Sequence, residues 1–236
     1  MLYQFVVVCR RKSLISLLFD IDGTLLRSGN AGMKAVHETL VEMFGEVPES
    51  KVVVHGRTDH GIMTDVFDAL GKDYQHHRGE FDQLYWNKLP GVLERSGGGM
   101  LPGVVALLEV LAAAPDVALG ILTGNARVPA GIKLKHFGIE HYFSFGGYGD
   151  SHSNRNQVAA EAIESARSQL QGSFDADRVW VIGDTVNDIT CTRSVGAKVI
   201  AVETGGGTHD ELVLAAPDEI FSDLSNVIDF LTAVGK

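Results

Sequence analysis

Leu14-Ile15-Ser16-Leu17-Leu18-Phe19-Asp20-Ile21-Asp22-Gly23-Thr24 is the stretch on which the reading of this chain turns. An apolar run of strand length ends abruptly in two acids separated by one residue, followed by Gly. A near-continuous apolar run, rather than an alternating one, suits a strand covered on both faces, as in a parallel sheet. Three more runs behave the same way. Val117–Leu122 leads into Thr123-Gly124-Asn125, residues 178–182 into Gly183-Asp184, and Lys198–Val202 into Glu203-Thr204-Gly205. Segments of helical periodicity lie among them, at 103–114, 128–137, 156–170, 187–195 and 209–215. That alternation predicts an α/β fold, a doubly wound parallel sheet.

One interval breaks the rhythm. Between Thr24 and Pro102 there is little strand signal but three helical stretches, at about 31–44, 59–70 and 74–94. The third carries Phe81, Leu84, Tyr85 and Leu89, spaced as an apolar stripe. Gly97-Gly98-Gly99 reads as a flexible return before Leu101-Pro102-Gly103. The expectation is a core built from residues 1–26 and 100–236, with an α-helical cap of residues 27–99 hung on two linkers as a lid over the strand ends.

The 236 residues suit one large domain, or a main domain carrying a smaller inserted one. With 45% hydrophobic and 21% charged residues the chain can bury a sizeable core, which argues against disorder. A formal charge of −10, without any long Lys/Arg-rich stretch, argues against a nucleic-acid partner. The one basic cluster, Arg10-Arg11-Lys12, follows an apolar run at 5–9 that is too short to cross a bilayer and in the wrong order for a secretory signal. Residues 1–12 therefore read as an extension, a candidate extra edge strand. Cys9 and Cys191 belong to no CxxC or metal-type spacing and read as free thiols of a cytoplasmic protein. The histidines are scattered, with no HxxxH or HExxH run, which argues against zinc. Oligomeric state is left open.

In open parallel sheets, ligands bind beyond the carboxyl ends of the strands. Asp20 and Asp22 at one strand end can be aimed at one small volume, where they repel unless a cation or a shared proton compensates. Thr123-Gly124-Asn125 offers a hydroxyl and backbone N–H groups to a phosphate oxygen, and is also ordinary turn chemistry. In Gly183-Asp184-Thr185-Val186-Asn187-Asp188, two acids four residues apart suit a hard cation with oxygen ligands, Mg²⁺ rather than zinc. The same residues suit a helix N-cap, and one side chain can serve both ends. Gly205-Gly206-Gly207 lacks the spaced pattern of a dinucleotide site and reads as a plain loop. Met33, Met43 and Met63 read as packing residues.

The order DxDGT, Thr-Gly-Asn, a basic residue and then GDTxxD resembles the haloacid dehalogenase superfamily. The helical insert after the first motif is similar to that of its phosphatases with an α-helical cap, of the phosphoglycolate phosphatase type. The resemblance spans roughly residues 14–230. It implies that Asp20 is the nucleophile, and that Asp22 protonates the leaving alcohol and then activates water. Thr123 would bind a phosphate oxygen, with Thr24, Gly124 and Asn125 beside the substrate. Mg²⁺ would be held by Asp20, the backbone carbonyl of Asp22 and Asp184, with Asp188 supporting. The family usually places a Lys before its fourth motif. Here the one cation in residues 151–157 is Arg155, which can supply the same charge in a forked geometry. Lys133 and Lys135 are the fallbacks, both read as facing solvent. In Gly56-Arg57-Thr58-Asp59, Arg57 either reaches a second anionic group of the substrate or belongs to a helix-start turn capped by Thr58 or Asp59. His55 and His60 read as structural. The implied activity is Mg²⁺-dependent hydrolysis of a small phosphorylated metabolite, with 2-phosphoglycolate the first candidate, through an aspartyl-phosphate. A phosphomutase, or a non-catalytic binding module of the same fold, is the alternative. A dehalogenase or phosphonatase would not need the acid at Asp22.

Overall fold

The computed structural model of the chain describes residues 13–48 and 52–236. Residues 1–12, with Cys9, the basic cluster and the expected edge strand, lie outside the described residues. In chain order the elements are β1 (Ile15–Phe19), β2 (Leu26–Arg27), α1 (Ala31–Phe44), α2 (Asp59–Ala69), α3 (Tyr74–Ser96), β3 (Gly99–Met100), α4 (Val104–Ala112), β4 (Val117–Leu122), α5 (Arg127–His136), β5 (Phe145–Gly147), α6 (Arg155–Leu170), β6 (Val179–Gly183), α7 (Val186–Ser194), β7 (Lys198–Val202), α8 (His209–Leu214), β8 (Glu219–Phe221) and α9 (Val227–Ala233).

Six strands form one parallel sheet in the order β5-β4-β1-β6-β7-β8. β1 is buried along its whole length because it is central and covered on both faces. Its odd positions Ile15, Leu17 and Phe19 pack with Leu107 and Leu111 of α4 and Phe230 of α9. Its even position Leu18 packs on the other face with Val158 and Ala162 of α6 and Cys191 of α7. The unbroken apolar runs in the sequence are the signature of this three-layer arrangement. Cys191 is a free, buried thiol.

Register sets the chemistry. Phe19 lies opposite Ile121 of β4 and Ile182 of β6. Asp20 therefore leaves the sheet at its middle, with Thr123 and Asp184 one residue further out on either side. The reversal of strand order, with β4 to one side of β1 and β6 to the other, opens the crevice in which such sheets hold ligands.

The helices of the 27–99 interval fall where the periodicity places them, and they share a cluster of their own. Val36 and Leu40 of α1 meet Ile62, Val66 and Phe67 of α2 and Phe81, Tyr85 and Leu89 of α3. Leu84, expected in the stripe, is only half-buried. The two flanks differ from the expected loose linkers. Leu26 pairs with Met100 and Arg27 with Gly99, so β2 and β3 form a small antiparallel ribbon. Gly97 closes α3 with φ 68°, a left-handed cap that favours Gly. The short edge strands β5 and β8 and the helix α9 have no counterpart in the sequence reading, because three to seven residues carry too little periodicity. Among the described residues no helix is long and apolar enough to cross a membrane.

Candidate active site

The turn after β1 explains the DxDGT pattern. Gly23 takes φ 89°, and its missing side chain leaves space that the Asp184 carboxylate fills. The Thr24 hydroxyl donates to Asp184 Oδ1 at 3.1 Å. Thr24 is thus spent on aiming an acid, and it is buried.

Asp20, Asp184 and Asp188 are all buried, and each offers a carboxylate oxygen within 4.8 Å of the others. Arg155, on the first turn of α6, reaches Asp20 Oδ2 at 3.1 Å and also pairs with Asp188 Oδ1. One guanidinium nitrogen, Nη2, serves both acids, while Nε is buried with no hydrogen-bond partner. Asp188 spends its other oxygen as a capping box, accepting from the Thr185 N–H at 3.0 Å and the Thr185 hydroxyl at 2.7 Å. Asp184 accepts from the Gly206 N–H at 2.6 Å. The Gly205–Gly207 loop, which reads as inert in the sequence, wraps this carboxylate closely enough that a side chain at Gly205 would collide with it. Burial, and then the neighbouring acids, push the Asp20 and Asp184 carboxyls well above the usual range. Three acids against one Arg leave negative charge uncompensated. All the donors are oxygen, with no His or Cys among them, so the set fits a hard divalent cation.

The Asp22 side chain lies outside the carboxylate trio; the family resemblance expects its backbone carbonyl, rather than its carboxylate, at a metal. Instead the Asp22 carboxylate accepts from Lys133 Nζ at 2.5 Å, Asn125 Nδ2 at 2.9 Å and the Ser28 hydroxyl at 2.9 Å. Burial pushes this carboxyl upward, but the Lys133 ammonium and the hydrogen bonds outweigh it and hold it below the ordinary range. Lys133 corrects the sequence reading: far from facing solvent it is 4% exposed, and it also donates to Asn125 Oδ1 at 2.6 Å. Lys135 does face solvent. Asn125 joins the two halves, because its amide also donates to the Thr123 hydroxyl oxygen at 2.9 Å. Thr123 in turn hydrogen-bonds the Asp20 carboxylate.

The helical layer comes down on these strand ends. The N–H of Asp59 donates to the Gly124 carbonyl at 2.7 Å, and that of His60 to the Gly149 carbonyl at 3.1 Å. The Asp59 carboxylate accepts from the Ala126 N–H at 2.8 Å, which caps α5. Gly124 has the Arg57 carbonyl packed where a side chain would stand, so its substrate-side role is joined to this close approach. The Arg57 guanidinium is paired with Asp65 at 2.5 Å and donates to the carbonyls of Val53 and Gly61. Thr58 caps α2 through the Gly61 N–H. Of the two readings for this segment, the helix-start turn is therefore the one made in the structure. A cavity of about 900 Å³ lies between the two layers, lined by Asp20, Asp22, Thr123, Arg155 and Asp184 on one side and by α1–α3 on the other.

A parallel sheet with acids gathered at its central strand ends defines a class that comparison with known proteins makes specific. The family model for haloacid dehalogenase-like hydrolases matches residues 17–202, and the chain belongs to that family. A phosphoglycolate phosphatase of Agrobacterium fabrum is 23% identical over 88% of this chain and 88% of its own length. Among solved structures, a predicted phosphoglycolate phosphatase of Haemophilus somnus superposes with a TM-score of 0.69 at 20% identity, covering 92% of this chain and 97% of that one. A candidate beta-phosphoglucomutase of Thermotoga maritima gives 0.62 at 17% identity, covering 93% and 99%. At these identities the structural matches establish the fold.

Proposed function

We propose that this chain is a Mg²⁺-dependent phosphatase that works through a covalent aspartyl-phosphate, an acyl phosphate on Asp20. The observation that carries the reading is the gathering of the Asp20, Asp184 and Asp188 carboxylates beside Arg155, with Asp22 held apart on the other side of Asp20. In this reading residues 27–99 are a cap domain over a core of residues 1–26 and 100–236. Asp20, Asp184 and the backbone carbonyl of Asp22 hold the cation, and Asp188 braces Arg155. When bound, Mg²⁺ neutralises the nucleophile and the phosphoryl oxygens so that two anions can meet.

Asp20 Oδ attacks phosphorus, the ester P–O bond breaks, and Asp22, which takes up a proton as the anionic substrate binds beside it, gives that proton to the departing alkoxide. Asp22, again a carboxylate, then takes a proton from water. The water oxygen attacks phosphorus, the bond to Asp20 breaks, and inorganic phosphate leaves. Arg155 and the backbone N–H groups after Thr123 cancel charge on the phosphoryl oxygens. The substrate suggested by the names of the relatives is 2-phosphoglycolate. A phosphomutase, the alternative suggested by one structural neighbour, would return the phosphoryl group to a sugar instead of passing it to water.

The test is phosphate release from a panel of phosphomonoesters with Mg²⁺ and with EDTA, in the wild type and in Asp20→Asn and Asp22→Asn. The expected outcome is Mg²⁺-dependent release that Asp20→Asn abolishes, and trapping of a phospho-enzyme in Asp22→Asn. Undiminished turnover in Asp20→Asn overturns the reading. Conversion between sugar phosphate isomers without phosphate release establishes the alternative.

A further inference from the structure

Resting on the phosphatase reading, we propose that the leaving group accepted by this site is bulky and largely apolar, and carries no second negative charge. Asp22 marks where the leaving oxygen lies. A Cβ on Gly32 of α1 would stand 3.9 Å from Nζ of Lys133, the residue that holds Asp22, and 3.7 Å from the Tyr85 hydroxyl. Gly32 and Tyr85 thus border the cavity beside the residue that holds Asp22. Among the residues lining the cavity are Met33, Ile62, Met63 and Trp86. Its volume, about 900 Å³ in all, falls near the top of the roughly 300–1,000 Å³ that holds drug-sized ligands, so a two-carbon acid leaves most of it unfilled.

The charges on the wall argue in the same direction. Arg57 is paired with Asp65, and Arg78 with Asp82 at 3.4 Å, with a further bond to the Asp150 carbonyl at 2.7 Å. Lys133 is held by Asp22. Arg27 is exposed to water and donates to the Thr204 carbonyl, and His55 is exposed as well. Burial, and then the charge of Arg78, disfavour protonation of His60. A carboxylate on the substrate would have to break an existing pair at Arg57, Arg78 or Lys133, where it would meet Asp59 and Asp82, or else settle at Arg27 or His55, which are open to water. A flat or branched apolar group meets methionine sulfur and aromatic faces instead.

The experiment compares kcat/KM for 2-phenylethyl phosphate, ethyl phosphate and 2-phosphoglycolate, all of which lose an alkoxide, with Mg²⁺ present. The expected result is at least a tenfold advantage for 2-phenylethyl phosphate over both others. In Gly32→Leu, which adds bulk to the cavity wall beside Lys133, that advantage shrinks to less than threefold, while continued turnover of ethyl phosphate shows that the variant folds. If 2-phosphoglycolate matches or beats the aryl-bearing ester, the inference is overturned and the phosphatase reading stands. If no ester of the three releases phosphate, both fall. The wild-type comparison decides the matter even if Gly32→Leu does not fold, and an undiminished advantage in a folded Gly32→Leu overturns the placement of the leaving group.

Discussion

Arg155 stands between two buried acids and touches both through a single nitrogen. What the site requires of it is charge, with the fork of the guanidinium secondary. Arg155→Ala is expected to lose at least tenfold in kcat, about 1.4 kcal/mol of transition-state stabilisation. Arg155→Lys, which can place one ammonium between the same oxygens, is expected to keep clearly more activity than the Ala variant. Steady-state rates of the two variants with saturating Mg²⁺ check this, and equal rates would assign the charge to another residue. Arg155 was legible in the sequence because it is the one cation in its loop. Lys133 was less so, although a signal existed: it lies three residues after Ala130 and beside Leu134, on the buried face of α5. A charged residue in apolar phase is a candidate for a buried pair, and the acid it finds here, Asp22, is 111 positions away in sequence. The Gly206 N–H and the Ser28 hydroxyl carry no such signal, since a backbone donor looks alike everywhere and a lone Ser is ordinary.

Among the elements, the junction of α2 with the start of α5 carries a titratable group. Burial lifts the Asp59 carboxyl from its ordinary 3.8 to about 6. The folded protein therefore holds a proton there that the unfolded chain has already released, so this group's contribution to stability is whole below pH 4 and declines as pH rises through 6. Asp59→Asn keeps an oxygen for the Ala126 N–H and abolishes the decline. Urea unfolding at pH 4.5 and 7.5 is expected to show the variant gaining on the wild type by about 1–2 kcal/mol toward the higher pH, allowing for partial exposure. A gap that does not change with pH would remove Asp59 as its source. The segment around Asp59 was readable as a helix start, and Thr58 does cap it. What could not be read was that the same turn docks on Gly124 and Gly149, because contacts made by backbone atoms between distant segments leave no periodic trace. The long helices and the four main strands were legible because they are long enough for periodicity to accumulate; β2, β3, β5 and β8 are not.

At the scale of the whole molecule, the uncompensated acids at the sheet's edge make stability depend on what is bound there. A cation that binds only the folded state at a hundredfold above its Kd adds about 2.7 kcal/mol. Mg²⁺ is expected to raise the Tm of the wild type, and EDTA to reverse the rise. Asp184→Asn, which takes one oxygen ligand from the trio, is expected to gain nothing from Mg²⁺. Thermal melts of both proteins with and without the ion check this, and a wild type indifferent to Mg²⁺ would refute it.

The ribbon of β2 and β3 ties together the two points at which the helical layer leaves and rejoins the sheet. Departure and return are thus neighbours in space, and Leu26 and Met100 could be rejoined by a tight hairpin turn without disturbing the strands behind them. The helical module is removable in principle, and a different module could be grafted at the same seam. On the proposed reading of residues 27–99 as a cap, such an exchange would alter what enters the cavity and leave the acids of the sheet untouched.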